Sequence, residues 1–127
     1  MKFGVQVSCY RTKWDDINAS IQALEAGRWN SLWFADHFLP PSPGSPGGAR
    51  DQEQGTAFEG YTLIAVAAGM TKKLRLGHLV LGNTYRNPAL LAKMATTLDQ
   101  ASKGRFVLSL GAAWFARENE AFGWDFP

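Results

Sequence analysis

The chain has almost no cysteine. Cys9 is the single one among 127 residues, so no intrachain disulfide can form and a reducing, cytoplasmic setting is expected. Histidine is nearly as scarce, with His37 and His78 alone. One thiol and two imidazoles give no metal-ligand spacing, and no metal is expected. No apolar run approaches the roughly 20 residues that a membrane-spanning helix needs, so no membrane partner is expected. The N-terminal MKFGVQVSCY lacks a long apolar stretch ending at a small-residue cleavage site. It reads as a strand that starts at once, not as a signal peptide.

Charge of either sign is thin. The net charge is +2, and Arg11, Lys13, Arg50, Lys72, Lys73, Arg75, Lys103, Arg105 and Arg117 are scattered without forming a stripe, so no nucleic-acid partner is expected. Three catalytic signatures are missing as well. There is no GxGxxG after the first strand, no GxxxxGK[ST] and no GxSxG, which argues against a Rossmann dinucleotide site, a P-loop and an α/β-hydrolase.

What is present suits a single domain over residues 1–127, with 46% hydrophobic residues and enough length for a core. Strands are expected at 3–9, where Phe3, Val5 and Val7 alternate with smaller or polar neighbours, then at 31–35, 74–81 and 105–110. Between them lie helical patterns. Residues 14–26 carry Ile17, Ile21 and Leu24 on one stripe, with Thr12 and Asp15 as a variant capping box and Gly27 as the stop. Residues 58–70 are rich in small residues. A third helix opens at Asn87-Pro88, an N-cap followed by proline at the first helical position, with Leu91, Met94, Ala95 and Leu98 inward. A fourth starts near Trp114 or Phe115. Residues 39–57 hold most of the prolines and read as a long exposed loop, long enough to cover a site.

The order βαβαβαβα implies right-handed parallel units, in a doubly wound sheet or a (β/α)₈ barrel. Both gather ligands at the carboxyl ends of their strands. That rim would carry Ser8, Cys9 and Tyr10, then Asp36 and His37, then Gly82, Asn83, Thr84, Tyr85 and Arg86, then Gly111, Ala112, Ala113 and Trp114. Asp36 and His37 end an apolar run abruptly. They are either a chain-end cap or an acid and an imidazole delivered to a site, the imidazole able to trade protons near neutral pH. Gly111-Ala112-Ala113 is either a tight turn or a gap where a flat ring approaches the backbone. Cys9 reads as a small buried hydrophobe, His78 as a structural histidine, and Glu118 and Glu120 as solvated residues of the last helix, Glu118 one turn from the rim.

The segments LWFADHF, RLGHLVLGNTYRNPALLAKMATTLD and GRFVLSLGAAWFARENEAFG resemble the bacterial luciferase-like monooxygenase superfamily, and within it the F420-dependent oxidoreductase subgroup. The resemblance implies the N-terminal half of a (β/α)₈ TIM barrel, four βα units long and truncated relative to the family. It implies hydride transfer between a reduced deazaflavin, coenzyme F420, and a small organic substrate. An FMN-dependent monooxygenase using oxygen and a non-catalytic half-barrel are the alternatives. By resemblance, His37 is the catalytic proton-transfer residue and Asp36 touches the deazaflavin head. Leu79-Val80 forms a bulge behind the ring, often with a non-prolyl cis peptide, and Gly82, Asn83, Gly111, Ala112 and Ala113 line the cofactor pocket. Trp114 stands where some sugar-phosphate dehydrogenases of the subgroup have glutamate. A half-barrel exposes strand edges and apolar faces, so a homo-oligomer is expected.

Overall fold

Each of the four strand positions is built in the computed structural model, which describes residues 1–40 and 56–125; most of the loop expected at 39–57 lies outside them. The elements in chain order are β1 (Gly4–Gln6), α1 (Trp14–Ala26), β2 (Ser31–Phe34), α2 (Gly60–Met70), β3 (Arg75–His78), β4 (Leu81–Gly82), α3 (Pro88–Ala101), β5 (Phe106–Val107), β6 (Leu110–Gly111) and α4 (Ala116–Phe122). The main sheet runs β1-β2-β3-β5, every pair parallel. Sequential order with no reversal is the winding of a barrel; a doubly wound sheet reverses at its switch point. Among the described residues, β1 and β5 pair on one side only.

Two expected strands divide. The run 74–81 becomes β3 and β4, separated by a cis peptide between Leu79 and Val80. The run 105–110 becomes β5 and β6. Leu79 and Val80 are both exposed, so the period-two alternation fails there. Beyond the break, β4 and β6 form their own parallel ladder, Gly82 opposite Gly111. The first strand is shorter than 3–9, although Val7 still donates its N–H to the Trp33 carbonyl at 2.9 Å.

The helices bury the stripes expected of them: Ile17, Ile21 and Leu24 from α1, and Leu91, Ala95 and Leu98 from α3. They meet Leu32 and Phe34 of β2, Leu76 of β3 and Phe106 of β5 in one core, where each large side chain contributes about 1.5–3 kcal/mol. Asn87 caps α3 as expected, its side chain accepting from the N–H groups of Ala89 and Leu90. The box expected at α1 does not form. Lys13 is the N-cap, and Thr12 Oγ1 turns to the Lys13 carbonyl at 3.5 Å. Gly27 ends α1 at a φ of −78°, so no left-handed residue is needed there. Helix α2 starts at Gly60, two residues late, because the Glu59 carboxylate accepts from the N–H groups of Tyr61 and Thr62. Its far end is clamped by Arg105, whose guanidinium donates to the carbonyls of Ala68, Thr71 and Leu74.

On the inner face, Trp33 lies flat across the strands. Its Nε1 donates to Ser31 Oγ at 2.9 Å. A Cβ on Gly77 would come within 2.6 Å of the indole, and one on Gly4 within 2.7 Å of Nε1. Among the described residues no helix is long and apolar enough to cross a membrane.

His78 is structural, as expected, but unusual. It is fully buried on the helix side, stacked on Tyr61 at 5.4 Å, and neither ring nitrogen finds a hydrogen-bond partner among the described residues. Burial pushes its imidazole below the ordinary value of 6.5, against opposing pulls from the Asp36 carboxylate and from the Gly60 backbone, which lies near the ring without meeting hydrogen-bond geometry. A proton bound by the unfolded chain is refused by the folded one, so stability is lost as pH falls below about 6.5. His78→Leu is expected to stabilise the protein by about 1 kcal/mol at pH 8, by removing the unpaired polar atoms, and by more at pH 5. Urea unfolding at both pH values checks this; a gain that does not grow on acidification contradicts it.

Candidate active site

The apolar run of β2 ends at Ala35, and the next two side chains part company. Asp36 is buried; His37 is half-buried at the rim. The Asp36 carboxylate is held by Arg86 in a two-pronged pair, Nη1 to Oδ2 at 2.7 Å and Nη2 to Oδ1 at 2.9 Å, and Oδ2 also accepts the N–H of Gly82 at 2.9 Å. Arg86 donates further to Glu59, and its guanidinium lies over the Tyr61 ring, 5.5 Å from the centroid. Asp36 thus ties the tip of β2 to β4 and to the start of α2. Burial alone would raise the Glu59 carboxyl, but the donors of Thr62 and the charge of Arg86 outweigh it and hold it below its ordinary value.

His37 leads to the residue that sequence reasoning missed. Its Nδ1 lies 2.8 Å from Oε2 of Glu118, on α4. Glu118 was expected in solvent and is instead completely buried. Its Oε1 accepts the N–H of Leu39 at 2.8 Å, and its Oε2 also accepts the Tyr85 hydroxyl. Burial raises the Glu118 carboxyl, but His37, the Leu39 N–H and Tyr85 together prevail and keep it below its ordinary value. Glu120 is exposed, as expected. The one sequence signal for Glu118 was its place one turn past the rim. The neighbouring Asn119 is buried too, its amide donating to the carbonyls of Ala113 and Phe115 and its oxygen accepting from Thr84. Helix α4 is therefore docked through polar side chains.

Aromatic rings wall the imidazole. Trp114 and Phe115 meet it edge-on at 5.7 and 5.8 Å, and Tyr10 lies at 6.4 Å. Burial pushes the Tyr10 phenol up, and burial followed by the Glu118 carboxylate does the same for Tyr85, so both stay protonated. Cys9 beside them is buried and inert, its thiol pushed up to about 11 by burial.

The small residues answer to close contacts. A Cβ on Gly82 would stand 2.5 Å from the Tyr85 ring, and one on Gly111 would collide with Val80. Asn83 donates its N–H to the Gly111 carbonyl at 2.9 Å, with its side chain exposed. Ala112 is exposed; Ala113 is buried with a φ of 60°, in the left-handed region. Leu79, Val80 and Trp114 remain 54%, 43% and 52% exposed.

A family model described as luciferase-like monooxygenase matches residues 1–127. The chain belongs to that family. It is 31% identical over 114 residues to the F420-dependent glucose-6-phosphate dehydrogenase of Amycolatopsis mediterranei, covering 89% of this chain and 31% of that enzyme. An F420-dependent secondary alcohol dehydrogenase, solved with an F420-acetone adduct, superposes with a TM-score of 0.77 at 23% identity, over 99% of this chain and 36% of that one. The oxygenating constituent of 3,6-diketocamphane monooxygenase from Pseudomonas putida, a type II Baeyer-Villiger monooxygenase solved with FMN, superposes at 0.71 with 20% identity, over 97% and 33%. The chain thus spans about a third of the length of the relatives it matches. Its fold is the luciferase-like TIM barrel, of which it holds four βα units.

Within the luciferase-like frame, the residues expected at one site do share one rim. Asp36 bonds Gly82, Gly82 pairs with Gly111, Val80 packs on Gly111, and Asn83 bonds Gly111. His37 is joined to the same rim through Glu118 and Tyr85.

Proposed function

We propose that this chain forms the ring-binding and proton-handling side of an oxidoreductase that moves hydride between F420 and a small organic substrate. The observation that carries this reading is the occurrence of exposed apolar side chains, Leu79, Val80 and Trp114, on the rim that also holds a walled imidazole. A flat ring needs such a surface, and the glycines at 82 and 111 keep the backbone low beside it. The residues present fit the ring. Leu79 and Val80 would back it, while Gly82, Asn83, Gly111 and Ala112 would border it, with Ala113 buried beneath the turn. Asp36 would act through the Gly82 amide it holds, next to the cofactor head. Arg86 is committed to Asp36 and Glu59 and is not a phosphate ligand.

The deazaflavin, when bound, supplies the carbon that accepts or releases hydride. His37 takes up or returns the proton that must accompany it, and the rings of Trp114 and Phe115 limit the access of water to the imidazole. The 31% identity to an F420-dependent dehydrogenase supports F420 as the ligand, and the 30% identity to a monooxygenase supports the second reading. The edges of β1 and β5 left unpaired among the described residues support self-association in the same reading.

Equilibrium titration of the purified protein with F420 and with FMN tests the proposal. Saturable F420 binding in the micromolar range or better, tighter than FMN, is expected. Tighter FMN binding overturns the deazaflavin reading in favour of a monooxygenase, and binding of neither leaves a non-catalytic half-barrel.

A further inference from the structure

The polar interior of the rim holds one carboxylate with three partners whose hydrogens can be assigned. The Leu39 N–H on Oε1 is a donor by construction. The Tyr85 phenol, kept protonated by burial, donates to Oε2. An ionised carboxylate only accepts, and those donors help keep Glu118 ionised. The third partner, His37 Nδ1 at 2.8 Å from Oε2, must therefore carry a hydrogen as well. Because Glu118 is fully buried, water cannot take the place of any of the three. The edge-on rings of Trp114 and Phe115 oppose a flip of the imidazole, and a flip would aim a C–H at the carboxylate. The imidazole keeps 16% of its surface exposed, and among the described residues nothing bonds Nε2.

We infer that Glu118 is a positioning residue that holds His37 as the Nδ1–H tautomer and leaves Nε2 as the atom that exchanges a proton with substrate. The inference rests on the proposed proton role of His37 and adds the residue that makes the role directional. In the oxidative direction, a bound deazaflavin would supply the acceptor for hydride, the hydrogen of a substrate C–H bond together with its electron pair. An O–H or N–H bond breaks with its proton going to Nε2, and a C=O or C=N bond forms. The resulting imidazolium keeps its Nδ1–H on the Glu118 carboxylate. A hydrogen-bonded orienting group behind an imidazole plays the same part in other catalytic histidines, where the wrong tautomer abolishes most of the rate.

The test reads the tautomer directly and needs no cofactor. Protein labelled with ¹⁵N at histidine contains two rings, His37 and His78, and His78→Leu removes one of them from the spectrum. Long-range ¹H–¹⁵N correlation at a pH where His37 is neutral is expected to show a protonated Nδ1 and a bare Nε2. In Glu118→Gln the amide NH₂ turns to the imidazole, and the two nitrogens are expected to exchange their shifts. A wild-type ring bare at Nδ1, or a Glu118→Gln spectrum unchanged from wild type, overturns the inference. The wild-type spectrum is decisive by itself if the variant does not fold. Turnover by a His37→Ala enzyme is a separate result: undiminished turnover would defeat the proton role while leaving the measured tautomer intact.

Discussion

Arg86→Ala is expected to destabilise the protein by about 3–5 kcal/mol, the usual consequence of stripping one partner from a buried ion pair. The Asp36 side chain has no exposed surface and that of Arg86 only 9%. Without the guanidinium, the Asp36 carboxylate keeps the Gly82 N–H as its remaining partner among the described residues. The Glu59 carboxylate loses its cation at the same time. A typical domain has about 5–15 kcal/mol in total, so a large fraction of the variant should be unfolded or insoluble at ambient temperature. Arg86→Lys retains the charge but not the two-pronged fork, and should fall between the two. Chemical denaturation of the three proteins measures this. A loss below about 1 kcal/mol for the alanine variant would mean that Asp36 is far better solvated than its burial implies.

The second large effect concerns turnover. In a length of the polypeptide that shows F420-dependent activity, His37→Ala should lower kcat by about 10²–10⁴-fold, the usual contribution of a positioned acid or base. That corresponds to about 2.7–5.4 kcal/mol of barrier. F420 affinity should change little, because the surfaces assigned to the ring are Leu79, Val80 and the glycine-bordered tips, not the imidazole. Steady-state rates and a binding titration on the same variant separate the two quantities. An unchanged kcat would refute the proton role, and a lost affinity with normal kcat would make His37 a binding residue.

The alternation of strands and helices was legible because local periodicity writes it: every helical stripe named from the sequence is buried or half-buried, and all four expected strand positions carry strands. The rim was legible for the same reason, since strand ends follow from strands. Glu118 was not. Its helix also carries Arg117 and Glu120 and reads as a solvated face, and its partner His37 lies 81 residues away. Long-range polar pairing leaves no periodic trace. The commitment of Asp36 to Arg86, 50 residues on, was hidden in the same way. The missed cap at Thr12 has a different origin. A threonine three residues before an acid fits a box, but Thr12 Oγ1 bonds a carbonyl instead of a first-turn amide, and propensity cannot choose between the two.

Trp33 has a consequence for the curvature of the sheet. One indole spans the gap between β1 and β3, with glycine on either side of it and Ser31 pinning its nitrogen. The ring behaves as a calliper: strands that drew closer together would strike it, and strands that spread apart would lose contact with it. The bend that brings the four strand tips around a common mouth is thus gauged from within.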